Sequence, residues 1–475
     1  MTGVDIIVMI AYFAVVLAIG AGFARQGRDP EDYFLGGHAI PWWAVMMSIV
    51  ATETSALTVI SIPGIGARTN FTFLQVVFGY LVGRIGVSIW LLPGYFTGTQ
   101  TTAYQRLETR FGPATRRLAS VVFMIIRAFG DSVRVFATAI PLSIVTGWSP
   151  AVSVTVVASV TLVYTLVGGI KAVVWVDVLQ LIIYTVGGIA TIVVVARTMG
   201  GLDPALARAA AAGKLQVFDF RLSLTVPYTF VAGLVGGAML SAASHGTDQL
   251  IVQRVLSTRS LSAARKALIG SGIVVIGQFA LFLLVGTMLW ALGADDGVMA
   301  SDRIFPAFVT TGLPPGLAGL VVAGILAAAM STVSSSLNSL ASSTTYDLYG
   351  PLTGEHDQHR LVRVGRVATL GWAIVLAGGA LLYRSDQPVV ELALSIASIT
   401  YGSLLGTFIL ALKVHRCTQR DAMVALLASA LLMLAVVLPD QGPFAGLAWP
   451  WYVPLGTTIA VTVGVVSSAF PHRSP

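Results

Sequence analysis

Apolar runs of about twenty residues, separated by short polar segments, recur along almost all of this 475-residue chain. Each is long enough to cross a hydrocarbon core of roughly 30 Å as an α-helix. Only 10% of the residues are charged and 56% are hydrophobic, whereas soluble domains carry roughly a quarter charged residues. A soluble globule is therefore excluded, and run length without strict alternation excludes a β-barrel. The fold class is all-α, a polytopic membrane protein. The single cysteine, Cys417, excludes an intramolecular disulfide and a cysteine-based metal cluster. A net charge of +7 reads as Lys and Arg retained in loops on one side of the membrane, not as nucleic-acid affinity.

Hydropathy and helix breakers give about thirteen spans, at 5–23, 41–60, 71–98, 118–146, 151–167, 172–199, 226–244, 267–292, 316–346, 365–383, 389–412, 422–438 and 451–470. The first lacks a basic leader and a cleavage site, so it reads as a retained span. No extension of domain size is expected at either end. With this count, one side collects Arg25, Arg28, Arg106, Arg110, Arg116, Arg117, Arg254, Arg259, Arg265, Lys266, Arg360, Arg363, Arg366, Lys413, Arg416 and Arg420. The other holds mainly Arg68, Arg197, Arg208, Lys214, Arg221, Arg303 and Arg384. The positive-inside rule then puts the N-terminus outside and the C-terminus in the cytoplasm of a cell inner (plasma) membrane.

Two spans read as discontinuous. Ala51-Thr-Glu-Thr-Ser55 sets a carboxylate and three hydroxyls at mid-membrane, ahead of Pro63, Gly64 and Gly66. In the seventh span, Gly233, Gly236 and Gly237 precede Ser241 and Ser244. Polar or Gly-interrupted segments at corresponding places in two halves point to an inverted-repeat transporter with its site at the midplane. Within the span 316–346, the stretch 327–345 carries a polar stripe in which Ala328, Ser331, Thr332, Ser335, Ser339 and Ser342 share one helical face. Such a ladder offers neutral oxygens to a dehydrated cation; alone, it equally suits close helix packing.

Six ionisable residues fall within spans: Glu53, Arg84, Arg127, Asp131, Arg134 and Asp177. Each costs about 2.5–3.5 kcal/mol at a helix centre unless paired or wet. Arg127, Asp131 and Arg134 lie on one helix face, so Asp131 bridges both arginines, in a network with Glu53 or Asp177 or in contact with an anionic solute. Arg84 reads as structural. His245 and Asp248 lack a nucleophile or metal partner and read as gate or loop-packing residues, which argues against an enzyme.

Four motifs, in order, resemble the sodium/solute symporters. These are Asp32-Tyr-Phe-Leu-Gly-Gly37 with Pro41-Trp-Trp-Ala44; Thr102-Ala-Tyr104 with Leu107-Glu-Thr-Arg-Phe-Gly112; Gly168 to Gln180; and Leu337-Asn-Ser339 with Asp347-Leu-Tyr349. They cover almost the whole chain. The resemblance implies a LeuT-type five-plus-five inverted repeat, with one span before and two after. The chain then forms one transporter domain, 1–475, with repeats at 40–200 and 224–414 and two extra spans at 420–471.

Carried over by position, the resemblance implies a sodium site at Ala51, Thr54, Ala328, Ser331 and Thr332, and a second one at Asp177 and Ser335. Sugar-binding positions of the sugar-carrying relatives are apolar here, as at Val77, which favours a carboxylate or other small anion. Candidate solute contacts are Thr52, Glu53, Ser55, Thr58, Gln75 and Arg134. The expected function is sodium-coupled symport of a small polar organic solute by alternating access. The alternatives are a proton-coupled transporter of the same fold, with Glu53 or Asp177 carrying the proton, and, more remotely, a membrane sensor or enzyme. Solute, lipid bilayer and sodium are the expected partners; nucleic acid is not, and the sequence leaves the oligomeric state open.

Overall fold

The computed structural model describes residues 2–23, 30–97, 100–295, 297–382, 389–437, 444 and 446–470. Arg25, Arg28 and Arg384 lie outside them. The principal helices are α1 (Gly3–Gly22), α2 (Trp42–Glu53), α3 (Ala56–Arg68), α4 (Leu74–Trp90), α5 (Pro113–Thr146), α6 (Pro150–Thr198), α7 (Gly237–Gly246), α8 (Gln249–Leu256), α9 (Leu261–Leu292), α10 (Leu317–Ser343), α11 (Gln358–Leu382), α12 (Val389–Lys413), α13 (Gln419–Val437) and α14 (Tyr452–Ser467). Among the described residues, eight helices are long and apolar enough to cross a membrane, or nine when α2 and α3 are taken as one bent span. Each expected span overlaps a principal helix, but those at 118–146, 226–244 and 389–412 fall on α5, α7 and α12, outside that set of eight or nine.

Two of the expected spans, 151–167 and 172–199, run together in α6, whose 49 residues would make a straight rod of roughly 74 Å, over twice a bilayer core. The division falls at Gly169, with φ 56° and ψ −154°. That conformation is open to glycine and strained for other residues. Tyr33 packs its carbonyl against this glycine, where an added Cβ would lie 2.5 Å away.

At the centre stands α10, in which every residue from Val321 to Ser343 is buried. It packs on α6, α5, α1 and α11. A helix surrounded on all sides belongs to the core, yet this one carries a row of hydroxyls. Many are satisfied within the helix: Ser334 and Ser335 donate to the Ser331 carbonyl at 3.0 and 2.5 Å, and Ser339 to that of Ser336 at 3.1 Å. Back-bonding of this kind lets Ser sit in a dry helix without water.

The two discontinuities take different forms. Between α2 and α3 the axis bends by 62°. In the second half, the glycines do not break the helix. Ala232–Gly236 is a wider turn continuous with α7, and Gly237 lets α7 close on α4, since a Cβ there would meet the Val76 carbonyl at 2.2 Å. Small residues at a helix interface are a packing device. The interruption falls later, at Thr247 and Asp248, between α7 and α8.

Two arginines expected in loops are also buried. Arg254, fully enclosed on α8, and Arg116, at the start of α5, take carboxylate partners inside the protein. Arg116 bonds Asp347 at 2.7 Å and Glu108 at 2.5 Å. Arg254 sits on an eight-residue amphipathic helix that looks like a loop when only hydropathy is read, and Arg116 lies in the first turn of the 34-residue α5, ahead of its apolar stretch.

Candidate functional site

The break after α2 starts from one hydrogen bond. Thr54 N–H still reaches back to Val50, but Ser55 N–H donates to the Glu53 carbonyl at 2.9 Å, not to Ala51 four residues back as a helix requires. The Ala51 carbonyl therefore loses its helical donor, and the next helix begins at Ser55 without a side-chain cap. Ala51 and Thr54 are both fully buried.

The hydroxyl face of α10 lies against this break. Thr52 Oγ1 is 3.1 Å from Ser335 Oγ. Ser331 donates to Asp177 Oδ1 at 2.6 Å, and Thr332 to the Ala328 carbonyl at 3.3 Å. Ala51, Thr54, Ala328, Ser331 and Thr332 thus belong to two adjoining segments and offer neutral oxygens. Asp177 stands behind Ser331. It also accepts from Ser48 at 2.5 Å and from Arg254 at 3.1 Å, while Arg254 also donates to Ser335. The guanidinium of Arg254 accordingly lies between Asp177 and Ser335.

Beside the break opens a cavity of about 970 Å³, counting the space open to solvent. Thr52, Glu53, Ser55, Thr58 and Arg134 line it. Gln75 is elsewhere: its amide donates to the Tyr228 carbonyl at 2.9 Å and accepts from Asp219 N–H at 3.0 Å, tying down the loop before α7. The cavity also draws on His245 from α7, expected as a gate or loop-packing residue, and on residues that the sequence left without a role, namely Ser241 and Ser244 from α7, Tyr401 from α12, and an apolar wall including Phe73, Tyr80 and Phe279.

The buried charges balance in pairs. Around the cavity, four arginines and four carboxylates among the described residues meet as Arg84 with Glu53, Arg254 with Asp177, Arg127 with Asp248, and Arg134 with Asp131. Arg127 reaches Asp131 more loosely, at 3.5 Å. The expected network on Asp131 is present, but its further carboxylate is Asp248, not Glu53 or Asp177. Asp248 also accepts the Tyr401 hydroxyl at 2.8 Å and caps α8 through Leu250 N–H at 2.9 Å. Arg134 is the more available cation. Its guanidinium contacts Asp131 at 2.6 Å through one nitrogen, stays 19% exposed, and faces the cavity.

The model of the sodium:solute symporter family matches residues 33–429. The chain belongs to that family. The symporter is 29% identical to the sodium/sialic acid symporter NanT of Aliivibrio fischeri, over 97% of this chain and 92% of that protein. It is 30% identical to the sodium-dependent multivitamin transporter of Oryctolagus cuniculus, over 99% of this chain and 76% of the other. Its fold matches a solved Na⁺-coupled sialic acid symporter in a substrate-bound outward-open state, with a TM-score of 0.89 and 26% identity over 98% of both chains. The fold is therefore LeuT-type, the protein is a multi-pass membrane transporter and not an enzyme, and its coupling ion is sodium.

Proposed function

We propose that the symporter couples inward sodium movement to uptake of a small carboxylate. The observation that carries this reading is Arg134, a partly exposed guanidinium on the wall of a cavity that adjoins the Thr52–Ser335 contact. Sodium binds carbonyl oxygens of Ala51, Thr54 and Ala328 and hydroxyls of Ser331 and Thr332. These supply neutral ligands to a hard cation, with Asp177 as the nearby negative charge. The solute carboxylate takes the free side of Arg134, a charge-assisted contact, while Thr52, Ser55 and Thr58 supply hydroxyls. Two relatives named for sialic acid, a carboxylate, support the choice over a neutral sugar.

One sodium falling through 100 mV gains about 2.3 kcal/mol, and a monoanion travelling with it cancels that gain. A second sodium at Asp177 and Ser335 restores it, entering as the Arg254 guanidinium that bridges those two residues moves aside. Inward current during uptake supports this second position, and electroneutral uptake removes it. The orientation in this reading has the N-terminus outside and the C-terminus in the cytoplasm of the plasma membrane.

The test is uptake into proteoliposomes under a pure sodium gradient and a pure pH gradient. Sodium alone should drive accumulation of a carboxylate. Uptake driven only by the pH gradient, or preference for an uncharged sugar over every carboxylate, would remove the reading.

A further inference from the structure

Glu53 and His245 occupy matching positions, each in the last turn before a helix break, and their side chains converge on the cavity. Glu53 is anchored by Arg84, which is fully buried and also donates to Ser271 at 2.7 Å. His245 is 3% exposed, with Nε2 lying 3.8 Å from Glu53 Oε2. That separation is too long for a hydrogen bond, and Nε2 has no hydrogen-bond partner. On the other side of the ring, Nδ1 is 2.8 Å from Ser244 Oγ, whereas the alternative acceptor for that hydroxyl, the Ser241 carbonyl, is 3.4 Å away. Assigning the Ser244 proton to the shorter contact, with the Ser241 hydroxyl at 3.5 Å as the other neighbour of Nδ1, puts the ring proton on Nε2.

We infer that Glu53 and His245 form a clamp for one hydroxyl of the solute, which makes the cargo a hydroxylated carboxylate. The inference deepens the carboxylate reading and rests on it for the anionic end. An oxygen about 2.8 Å from each partner spans the gap. Its O–H donates to the Glu53 carboxylate, and its lone pair accepts from Nε2–H. A hydroxyl supplies both functions at one atom. An ammonium would set N–H against N–H, and a second carboxylate would set its oxygens against Glu53. Sites that bond a hydroxyl reject analogues lacking it strongly, because their own polar groups are then left unpaired.

The test is thermal stabilisation of the purified full-length protein in saturating sodium by four six-carbon probes: gluconate, hexanoate, sorbitol and 6-aminohexanoate. Gluconate should act at a concentration about 100-fold below hexanoate. His245→Leu should bring the two to within about threefold by weakening gluconate alone, while His245→Gln, which keeps an N–H, should retain most of the preference. Stabilisation by sodium itself reports that each variant is folded. Hexanoate equal to gluconate in the wild type, a preference for 6-aminohexanoate, or an unchanged preference in His245→Leu overturns the clamp. Sorbitol matching gluconate supports the clamp and counts instead against the carboxylate reading, so the two failures are distinguishable.

Discussion

At Thr54–Ser55 the chain leaves α2 with no side-chain cap and a carbonyl stripped of its helical donor, against a face of hydroxyls. At Thr247–Asp248 it leaves α7 and caps α8 with Asp248, whose carboxylate also holds Arg127 and the Tyr401 hydroxyl. Both breaks expose backbone inside a membrane protein, where unsatisfied groups are tolerated only beside a cavity or ion. The first is finished with neutral oxygens, which suit a cation. The second is finished with a charged network, which fixes a wall of the cavity and leaves Arg134 partly exposed there, the cation that the proposed function gives to the solute. The chemistry of a broken helix thus follows from what satisfies its ends.

Removing one partner from the charged break should give the largest effect. Asp248→Ala leaves Arg127 buried with only its longer contacts to Asp131 and the Tyr401 hydroxyl, and should lower stability by about 3–5 kcal/mol. Thermal unfolding in detergent checks this, and the double variant Asp248→Leu with Arg127→Met should recover much of the loss. If the single variant melts with the wild type, the second break is not held by charge.

At the neutral break the expected effect is on sodium, not on folding. Ser331→Ala with Thr332→Ala removes two oxygens worth roughly 1 kcal/mol each, so the sodium concentration for half-maximal uptake should rise about tenfold or more. Stability without sodium should change far less than in Asp248→Ala. Next, Arg134→Gln should weaken the solute by about tenfold through loss of a charge-assisted contact, with sodium dependence of binding retained. Equal loss of both affinities would merge the two regions into one.

Gln75→Ala should do least to transport. Its amide secures Asp219 and Tyr228 outside the cavity, so the solute concentration for half-maximal uptake should stay within about twofold, since distant sites couple weakly. Faster proteolysis in the segment 200–223 is the expected sign of its loss. A large change in solute selectivity would return Gln75 to the binding site.

The sequence made the neutral break legible and the charged one obscure, for physical reasons. Glu53 among three hydroxyls is costly in lipid, so composition alone marks the spot, and serines at helical spacing on α10 mark the face opposite. The glycines at 233, 236 and 237 carry two meanings, a break or a close contact, and hydropathy does not separate them. Here they serve α7 against α4. Arg254 reads as a loop cation and Asp248 as a gate or loop-packing residue for a related reason: each sits on or beside an eight-residue helix too short for periodicity to show, so their buried pairing stays hidden. Which carboxylate meets which arginine depends, in three of the four pairs, on contacts between 31 and 121 positions apart.

Direct binding of radioactive sodium to the purified protein tests the central claim, that the uncapped break and the hydroxyl face together hold the ion. Wild type and Arg134→Gln should bind it alike, and Ser331→Ala with Thr332→Ala should lose most of the binding while remaining folded. Undiminished sodium binding by that double variant would contradict the account.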